Sequence, residues 1–181
     1  MTIQQLLQHP DYKQKFVLEK LLQAHLGCTR EELWLHLDDH LTDPQIHNLQ
    51  QDYFAHTIEK KPLEYILGHV DFFGVPFFVN EHTIIPRPET EYMITAVSER
   101  IQQQPKSDRR TLIDIGTGSG VLGISILLQH PTFFQKAYLT DISEEALNVA
   151  KKNYNHLIPL STSYETQFIT AHLASFFTPK Y

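Results

Sequence analysis

A glycine-rich turn behind a short apolar segment is the feature that most constrains the fold of this chain. The pattern of Thr111–Ile115 predicts a β-strand, and Gly116-Thr117-Gly118-Ser119-Gly120 follows it directly. An apolar helical pattern begins at Val121. Glycines let the backbone turn sharply off a strand and approach a ligand with no side chain between them. The pattern therefore predicts a strand–turn–helix corner at the ligand-binding edge of an α/β sheet.

A single aspartate downstream narrows the choice of ligand. Asp141 follows the next predicted strand, residues 137–140, and lies 21 positions after Gly120. A carboxylate about 20 residues beyond such a turn is placed to hold ribose hydroxyls. The nicotinamide fingerprint is G-x-G-x-x-G, whereas this turn has G-x-G-x-G with Asp114 two residues before it. That spacing resembles the S-adenosylmethionine loop of class I methyltransferases, in which Ile142 would pack against the adenine.

The C-terminal half of the chain alternates between strands and helices. The pattern predicts strands at residues 111–115, 137–140 and 168–171, with helices at 121–129 and after Ser143. Strands that alternate with helices form a parallel sheet joined by right-handed crossovers. The fold class predicted for this half is therefore α/β.

The N-terminal part is acidic and helical. Residues 1–85 contain 6 Lys and Arg against 12 Asp and Glu. One predicted helical face carries leucines at three-and-four spacing: Leu18, Leu21, Leu22 and Leu26. Thr29 and Glu32 have capping-box spacing, and Asp43 is predicted to cap a further helix with Pro44 at its first position. These signals indicate a small helical bundle.

A change of period separates the bundle from the α/β part. Residues 71–80 are aromatic and β-branched with a Gly/Pro break in the middle, which predicts a β-hairpin. The prolines of Ile85-Pro86-Arg87-Pro88 then stiffen the connection. We therefore predict a helical domain at 1–70, a hairpin linker at 71–86 and an α/β domain at 87–181.

Four further segments make the resemblance specific. They are Leu26-Gly27, Pro62-Leu63-Glu64-Tyr65-Ile66-Leu67-Gly68, Phe72-Phe73-Gly74 and Ile85-Pro86-Arg87-Pro88-Glu89-Thr90-Glu91. Together with the glycine-rich turn they resemble the HemK/PrmC family, the glutamine methyltransferases of peptide chain release factors. The resemblance covers nearly the whole chain, and the segment around Arg87 is its most diagnostic part.

The resemblance implies a function for each part. It implies a helical substrate-docking domain and a Rossmann-like methyltransferase domain of class I, of which residues 87–181 would be the N-terminal part. S-adenosylmethionine would donate a methyl group to the side-chain amide nitrogen (N5) of the glutamine in a release factor's Gly-Gly-Gln motif, a step in preparing translation termination. The cofactor-binding residues it implies are Gly116, Thr117, Gly118, Ser119, Gly120, Asp141 and Leu173. Arg87, Glu89 and Thr90 would close the pocket near the methionine end.

The chain also departs from the family pattern. The family's catalytic Asn-Pro-Pro-Tyr motif does not occur in the 181 residues, so no catalytic residue is assigned. Ala171-His172-Leu173 stands where the family has an acidic residue before a bulky apolar one. We therefore expect a chain truncated before the fourth strand, inactive by itself, with Leu112, Ile113 and Ile115 on an uncovered sheet edge.

Two other functions stay open at this point. A nucleic-acid methyltransferase of adenine or cytosine would share the fold, although 15 basic against 21 acidic residues argues against a nucleic-acid surface. A non-catalytic fragment that binds cofactor or partner is the other. The single Cys28 and the lack of a third ligand beside His36 and His40 disfavour a metal site. No apolar run is long enough for a membrane span, which favours a soluble, cytoplasmic protein.

Overall fold

The computed structural model describes residues 1–104, 110–159, 161–162 and 164–172. It divides the chain into two compact units, with the boundary between Leu67 and Gly68. The unit before this boundary is helical, and the unit after it contains all the strands described. The predicted hairpin linker therefore lies inside the second unit.

The first unit consists of five helices. They are α1 (Ile3–Gln8), α2 (Lys15–Leu26), α3 (Arg30–Leu35), α4 (Asp43–Thr57) and α5 (Leu63–Leu67). The leucine stripe of α2 is buried as predicted, since Leu18, Leu21 and Leu22 are fully covered. They pack with residues of α1, α3 and α4, among them Ile3, Leu6, Leu33 and Leu49. The helical bundle predicted from periodicity is therefore the architecture of this unit.

Threonine capping boxes begin three of these helices. Thr2, Thr29 and Thr42 each accept a hydrogen bond from the backbone three residues on, and Gln5, Glu32 and Gln45 bond back to the cap. The Thr29–Glu32 prediction is confirmed. For α4 the prediction was wrong by one residue, because Thr42 is the cap and Asp43 is the first helical residue. A capping box satisfies two terminal amides at once, which a lone Asp43 side chain cannot do.

The cap of α4 is tested by two neighbouring substitutions. We expect Thr42→Ala to lower the free energy of unfolding by about 1 kcal/mol, the usual effect of losing a side-chain cap. Asp43→Ala removes only a favourable charge at the helix N-terminus and should cost about 0.3–0.5 kcal/mol. Urea denaturation followed by circular dichroism measures both. A larger effect at Asp43 than at Thr42 would contradict the assignment.

The second unit opens with the hairpin. Strands β1 (His69–Phe72) and β2 (Val75–Phe78) pair antiparallel, and Phe73-Gly74 forms the two-residue turn between them. Phe72 and Phe77 are fully buried in the same apolar core as Ile94, Ile124 and Leu127 of the helices that follow. The hairpin is thus a structural layer of this unit, because its aromatic face is covered by the unit's helices.

A parallel sheet forms the centre of the second unit. Its strands are β3 (Thr111–Ile115), β4 (Lys136–Asp141) and β5 (Glu165–Thr170), in the order β3-β4-β5 with both pairs parallel. A 3-10 turn at Pro88–Thr90 leads into α6 (Glu91–Gln102), while α7 (Val121–Gln129) and α8 (Glu144–Leu157) connect the strands. The predicted α/β class is confirmed, and β5 starts three residues earlier than the sequence indicated.

Strand β3 lies at an edge among the strands that the structure describes, with β4 as its neighbour there. Two of its apolar side chains are exposed, Ile113 at 51% and Ile115 at 36%, whereas Leu112 is partly buried. Isoleucine is a strand residue usually covered by packing, so this edge carries an apolar surface.

Candidate cofactor site

The glycine-rich turn is anchored to the ends of two neighbouring strands. The backbone amides of Gly116 and Thr117 both donate to the carbonyl of Thr140, at 2.8 and 2.9 Å. The amide of Gly120 donates to the carbonyl of Thr117 at 2.8 Å, which closes the turn as α7 begins. Because parallel strands end on the same side of a sheet, the turn lies at the carboxyl ends of β3 and β4, where α/β proteins bind ligands.

Asp114, the last residue but one of β3, supports the turn from below. Its Oδ2 accepts hydrogen bonds from the Thr117 hydroxyl at 2.7 Å and from the Gly123 amide at 3.0 Å. A Cβ on residue 123 would lie 2.8 Å from this oxygen, so the carboxylate occupies the space that Gly123 leaves open. Burial raises the pKa of the Asp114 carboxyl, these two hydrogen bonds oppose the rise, and the nearby Asp141 carboxylate adds to it.

This raised pKa gives Asp114 a definite pH signature. The folded state binds the proton of Asp114 more tightly than the unfolded chain does, so its contribution to stability grows as the pH falls. This increase in stability begins as the pH falls to just above the raised pKa of the folded state, and it is complete below the ordinary pKa of 3.8. We therefore expect the unfolding free energy of the wild type, minus that of Asp114→Asn, to increase over this window. Urea titrations at a series of pH values measure the difference, and a decrease on acidification would contradict the prediction.

Asp141, the last residue of β4, holds the turn from the other side. Its Oδ2 accepts a hydrogen bond from the Gly118 amide at 2.9 Å, and its Oδ1 accepts one from the Ser143 amide at 3.0 Å. Ser143 in turn caps α8 by accepting from the Ala146 amide at 3.0 Å. An ionised carboxylate has about four lone-pair positions, so each oxygen retains acceptor capacity for a ligand hydroxyl.

A cavity of about 410 Å³ opens above the turn. Its floor is formed by the turn and the carboxylates of Asp114 and Asp141, and one wall is formed by residues 82–87 with Thr90. The volume falls within the range of roughly 300–1,000 Å³ that small-molecule sites occupy. The wall contributes both apolar surface, from Ile84 and Ile85, and one cation, Arg87.

Comparison with known proteins finds matches for both parts of the chain. Residues 2–68 match the family model of the PrmC N-terminal domain, and residues 88–165 match that of ribosomal protein L11 methyltransferase (PrmA). A release factor glutamine methyltransferase of Enterococcus faecalis is 33% identical over 78% of this chain and 48% of its own length. The corresponding protein of Bacillus anthracis is 34% identical over 80% of this chain and 50% of its own length.

This chain is similar to release factor glutamine methyltransferases over about four fifths of its length. A relative from Flavobacterium psychrophilum, also named a release factor glutamine methyltransferase, is 42% identical over 52% of this chain and 33% of its own length. The chain spans about half the length of the first two curated relatives. A solved structure, the N-terminal domain of human METTL16 in complex with SAH, aligns with 96% of this chain and 64% of that one at 18% identity and a TM-score of 0.44, too distant a likeness to bear on function.

Most of the residues predicted to bind cofactor lie around one cavity. Those that line the cavity are Gly116, Thr117, Gly118, Ser119 and Asp141, together with Arg87 and Thr90. Gly120 is buried and packs against Ile124 and Ala150. Glu89 is exposed in a separate depression beside Phe73 and Tyr92.

Two predicted contacts are not part of this cavity as described. Ile142 is 67% exposed and is not among the lining residues, so adenine packing at this position stays a prediction. Leu173 lies outside the residues that the structure describes.

No helix in the described ranges combines the length and apolarity that crossing a membrane requires.

Sequence reasoning missed Asn153, a buried polar residue of this unit. Asn153 on α8 is 0% exposed, and it hydrogen-bonds both to the glycine-rich turn and to the hairpin. A signal was present in the sequence, since the inward face of α8 runs through Leu147 and Ala150 to an asparagine three residues later. A polar residue on a buried helical face must find hydrogen-bond partners.

Proposed function

We propose that the second unit binds S-adenosylmethionine in the cavity above the glycine-rich turn. The observation that carries this proposal is the pair of carboxylates, Asp114 and Asp141, at the two ends of the turn. A pyrophosphate would meet two negative charges there, whereas the sulfonium and amino groups of S-adenosylmethionine are cationic and its ribose hydroxyls are donors. Dinucleotides are therefore disfavoured. The two carboxylates suit S-adenosylmethionine, because they attract its cationic groups and accept hydrogen bonds from its ribose.

The residues around the cavity have distinct proposed roles. Asp141 accepts the ribose hydroxyls, and the open side of Gly118, where a Cβ would meet no atom within 4 Å, lets the ligand approach the backbone. Arg87, which also lines the cavity, pairs with the carboxylate of the methionine part. Ile84 and Ile85 cover apolar surface and exclude water.

The proposed reaction is methylation of a release-factor glutamine. Bound S-adenosylmethionine supplies an electrophilic methyl group, which its sulfonium readily releases. The acceptor is the N5 amide of the glutamine in the Gly-Gly-Gln motif, and the amide loses a proton as the new C–N bond forms. An amide nitrogen is a weak nucleophile, so its two N–H groups must be held and aimed. The family's Asn-Pro-Pro-Tyr motif, which does this, is not in the 181 residues.

The acidic helical unit is proposed to attract the release factor. Residues 1–67 carry 10 acidic against 6 basic side chains, and a complementary basic surface would be steered toward them. Steering of this kind weakens as salt screens the charges over about 10 Å at 0.1 M ionic strength. An association rate that does not change with salt would contradict it.

Calorimetric titration of the chain with S-adenosylmethionine tests the binding proposal. We expect saturable heat with S-adenosylmethionine and none with NAD, because of the two carboxylates. Absence of heat with S-adenosylmethionine would overturn the proposal, and tighter binding of NAD would replace it with a dinucleotide site.

Mass spectrometry of a release factor incubated with the chain and cofactor tests the reaction. We expect no methyl mass shift on the Gly-Gly-Gln peptide from the 181 residues alone, since the groups that aim the glutamine are not among them. A shift on that peptide would show that residues in this chain replace the motif. Retention of the chain on DNA at moderate salt, but not on release factor, would favour the nucleic-acid alternative.

A further inference from the structure

Asn153 joins two segments that approach the cavity from different parts of the chain. Its Nδ2 donates to the carbonyl of Ser119 at 2.8 Å and to the carbonyl of Phe78 at 2.9 Å. Its Oδ1 accepts from the Phe78 amide at 2.7 Å. The side chain has no exposed surface, so these three hydrogen bonds are made without competition from water.

One of the two segments lines the cavity, and the other leads to residues that line it. Ser119 is part of the glycine-rich turn and lines the cavity floor. Phe78 ends β2, and the chain then makes a turn in which the Thr83 amide donates to the Asn80 carbonyl at 3.0 Å. Residues 82–87, in and directly after that turn, form one wall of the cavity. The Asn153 side chain therefore connects the glycine-rich turn to the end of β2, from which the chain continues into residues 82–87.

The rest of α8 also engages the end of β2. The ammonium of Lys152 lies 3.7 Å from the centre of the Phe78 ring, and the His156 ring packs against Phe78 with centroids 5.3 Å apart. The register of the hairpin pairs Phe78 with His69. Phe78 is thus held by β1 through the hairpin and by α8 through its ring and its backbone.

We propose that Asn153 is a positioning residue for cofactor binding, because its amide fixes the distance between the glycine-rich turn and the wall that follows β2. The inference rests on the proposed function, since it assigns Asn153 a role in the affinity for S-adenosylmethionine. Only an amide suits the position, because it offers a donor and an acceptor side by side. The NH2 group donates to the carbonyls of Ser119 and Phe78, and the oxygen accepts from the Phe78 amide. A carboxylate there would face the carbonyl oxygens of Ser119 and Phe78 without a proton to donate.

The test compares cofactor affinity with thermal stability in matched variants. Asn153→Asp and Asn153→Ser remove the NH2 group that donates to both carbonyls. Asn155→Asp and Asn155→Ser make the same changes at an exposed position of the same helix and serve as controls. Ile158→Ala lowers stability by opening the core at the end of α8, away from the turn. Calorimetry with S-adenosylmethionine is done well below the melting temperature of each variant, with folding checked by circular dichroism.

We expect the Kd for S-adenosylmethionine to rise about tenfold or more in Asn153→Ser and further in Asn153→Asp, as loss of buried hydrogen bonds predicts. The Asn155 variants and Ile158→Ala should stay within about twofold of the wild type, although Ile158→Ala melts earlier. If Asn153→Asp does not fold, Asn153→Ser decides the question alone.

Failure of the proposed function and failure of the positioning role give different results in this experiment. A wild-type chain that gives no heat with S-adenosylmethionine overturns the proposed function itself. A wild type that binds while Asn153→Ser binds equally well, with only a lower melting temperature, overturns the positioning role and leaves the proposed function standing.

Discussion

Replacing Asp141 by alanine is expected to weaken the binding of S-adenosylmethionine by about 100-fold. Hydrogen bonds to a charged group contribute about 1.5–3 kcal/mol each, and the proposed ribose contacts would be lost together with the bond from the Gly118 amide. A factor of 100 corresponds to about 2.7 kcal/mol. Asp141→Asn keeps one acceptor oxygen and should lose less.

The measurement is a calorimetric titration of Asp141→Ala beside two controls. Asp71→Ala removes the same charge from an exposed position on β1 and should bind as the wild type does. Thermal melting of Asp141→Ala without ligand shows whether the turn survives. An unchanged Kd in a folded Asp141→Ala would mean that the carboxylate serves only the Gly118 and Ser143 amides, and it would remove the main support for cofactor binding here.

Substituting alanine for Gly120 is expected to lower the free energy of unfolding by about 2–5 kcal/mol. The residue has φ of 85°, and a side chain in the left-handed region costs about 1–2 kcal/mol. A Cβ would also lie 2.6 Å from Cδ1 of Ile124 and 3.3 Å from Cβ of Ala150. Both neighbours are fully buried, so the crowding adds about 1–3 kcal/mol, as overpacking of a core does.

Gly118 supplies the matched control for this substitution. Its φ of 56° is also left-handed, but a Cβ there would meet no atom within 4 Å. Gly118→Ala should therefore lose only the conformational part, about 1–2 kcal/mol. Urea denaturation of both variants gives the difference. Equal losses would show that the contact with Ile124 relaxes freely, and that Gly120 is required for its backbone conformation alone.

Much of the secondary structure could be read from the sequence because its causes are local. A capping box joins residues three apart, as at Thr29. Neighbouring leucines in the stripe of α2 are likewise only one to four positions apart. The Phe73-Gly74 turn and the glycine-rich turn likewise depend on residues next to one another. Interactions over three or four positions need no knowledge of the rest of the chain.

Which apolar residues of a helix become buried is harder to predict from the sequence. The apolar pattern of α4 extends to Phe54 and Ile58, yet these are 54% and 61% exposed while Leu49 and Tyr53 are buried. Trp34 is likewise half exposed beside the fully buried Leu33. Periodicity shows that a helix has an apolar stripe, but the width of the stripe that becomes covered depends on the elements that pack against it.

The sequence alone determined the helical bundle, the hairpin and the α/β order of the elements, and it predicted the turn and Asp141 as the centre of the proposed cofactor site. Tertiary structure alone decided which residues support that site. Asn153 lies 34 and 75 positions from its partners, and Gly120 faces a helix that begins 24 residues later. The physical reason is that a buried hydrogen bond or a close packing contact depends on where the chain returns in space, and local pattern contains no information about that return.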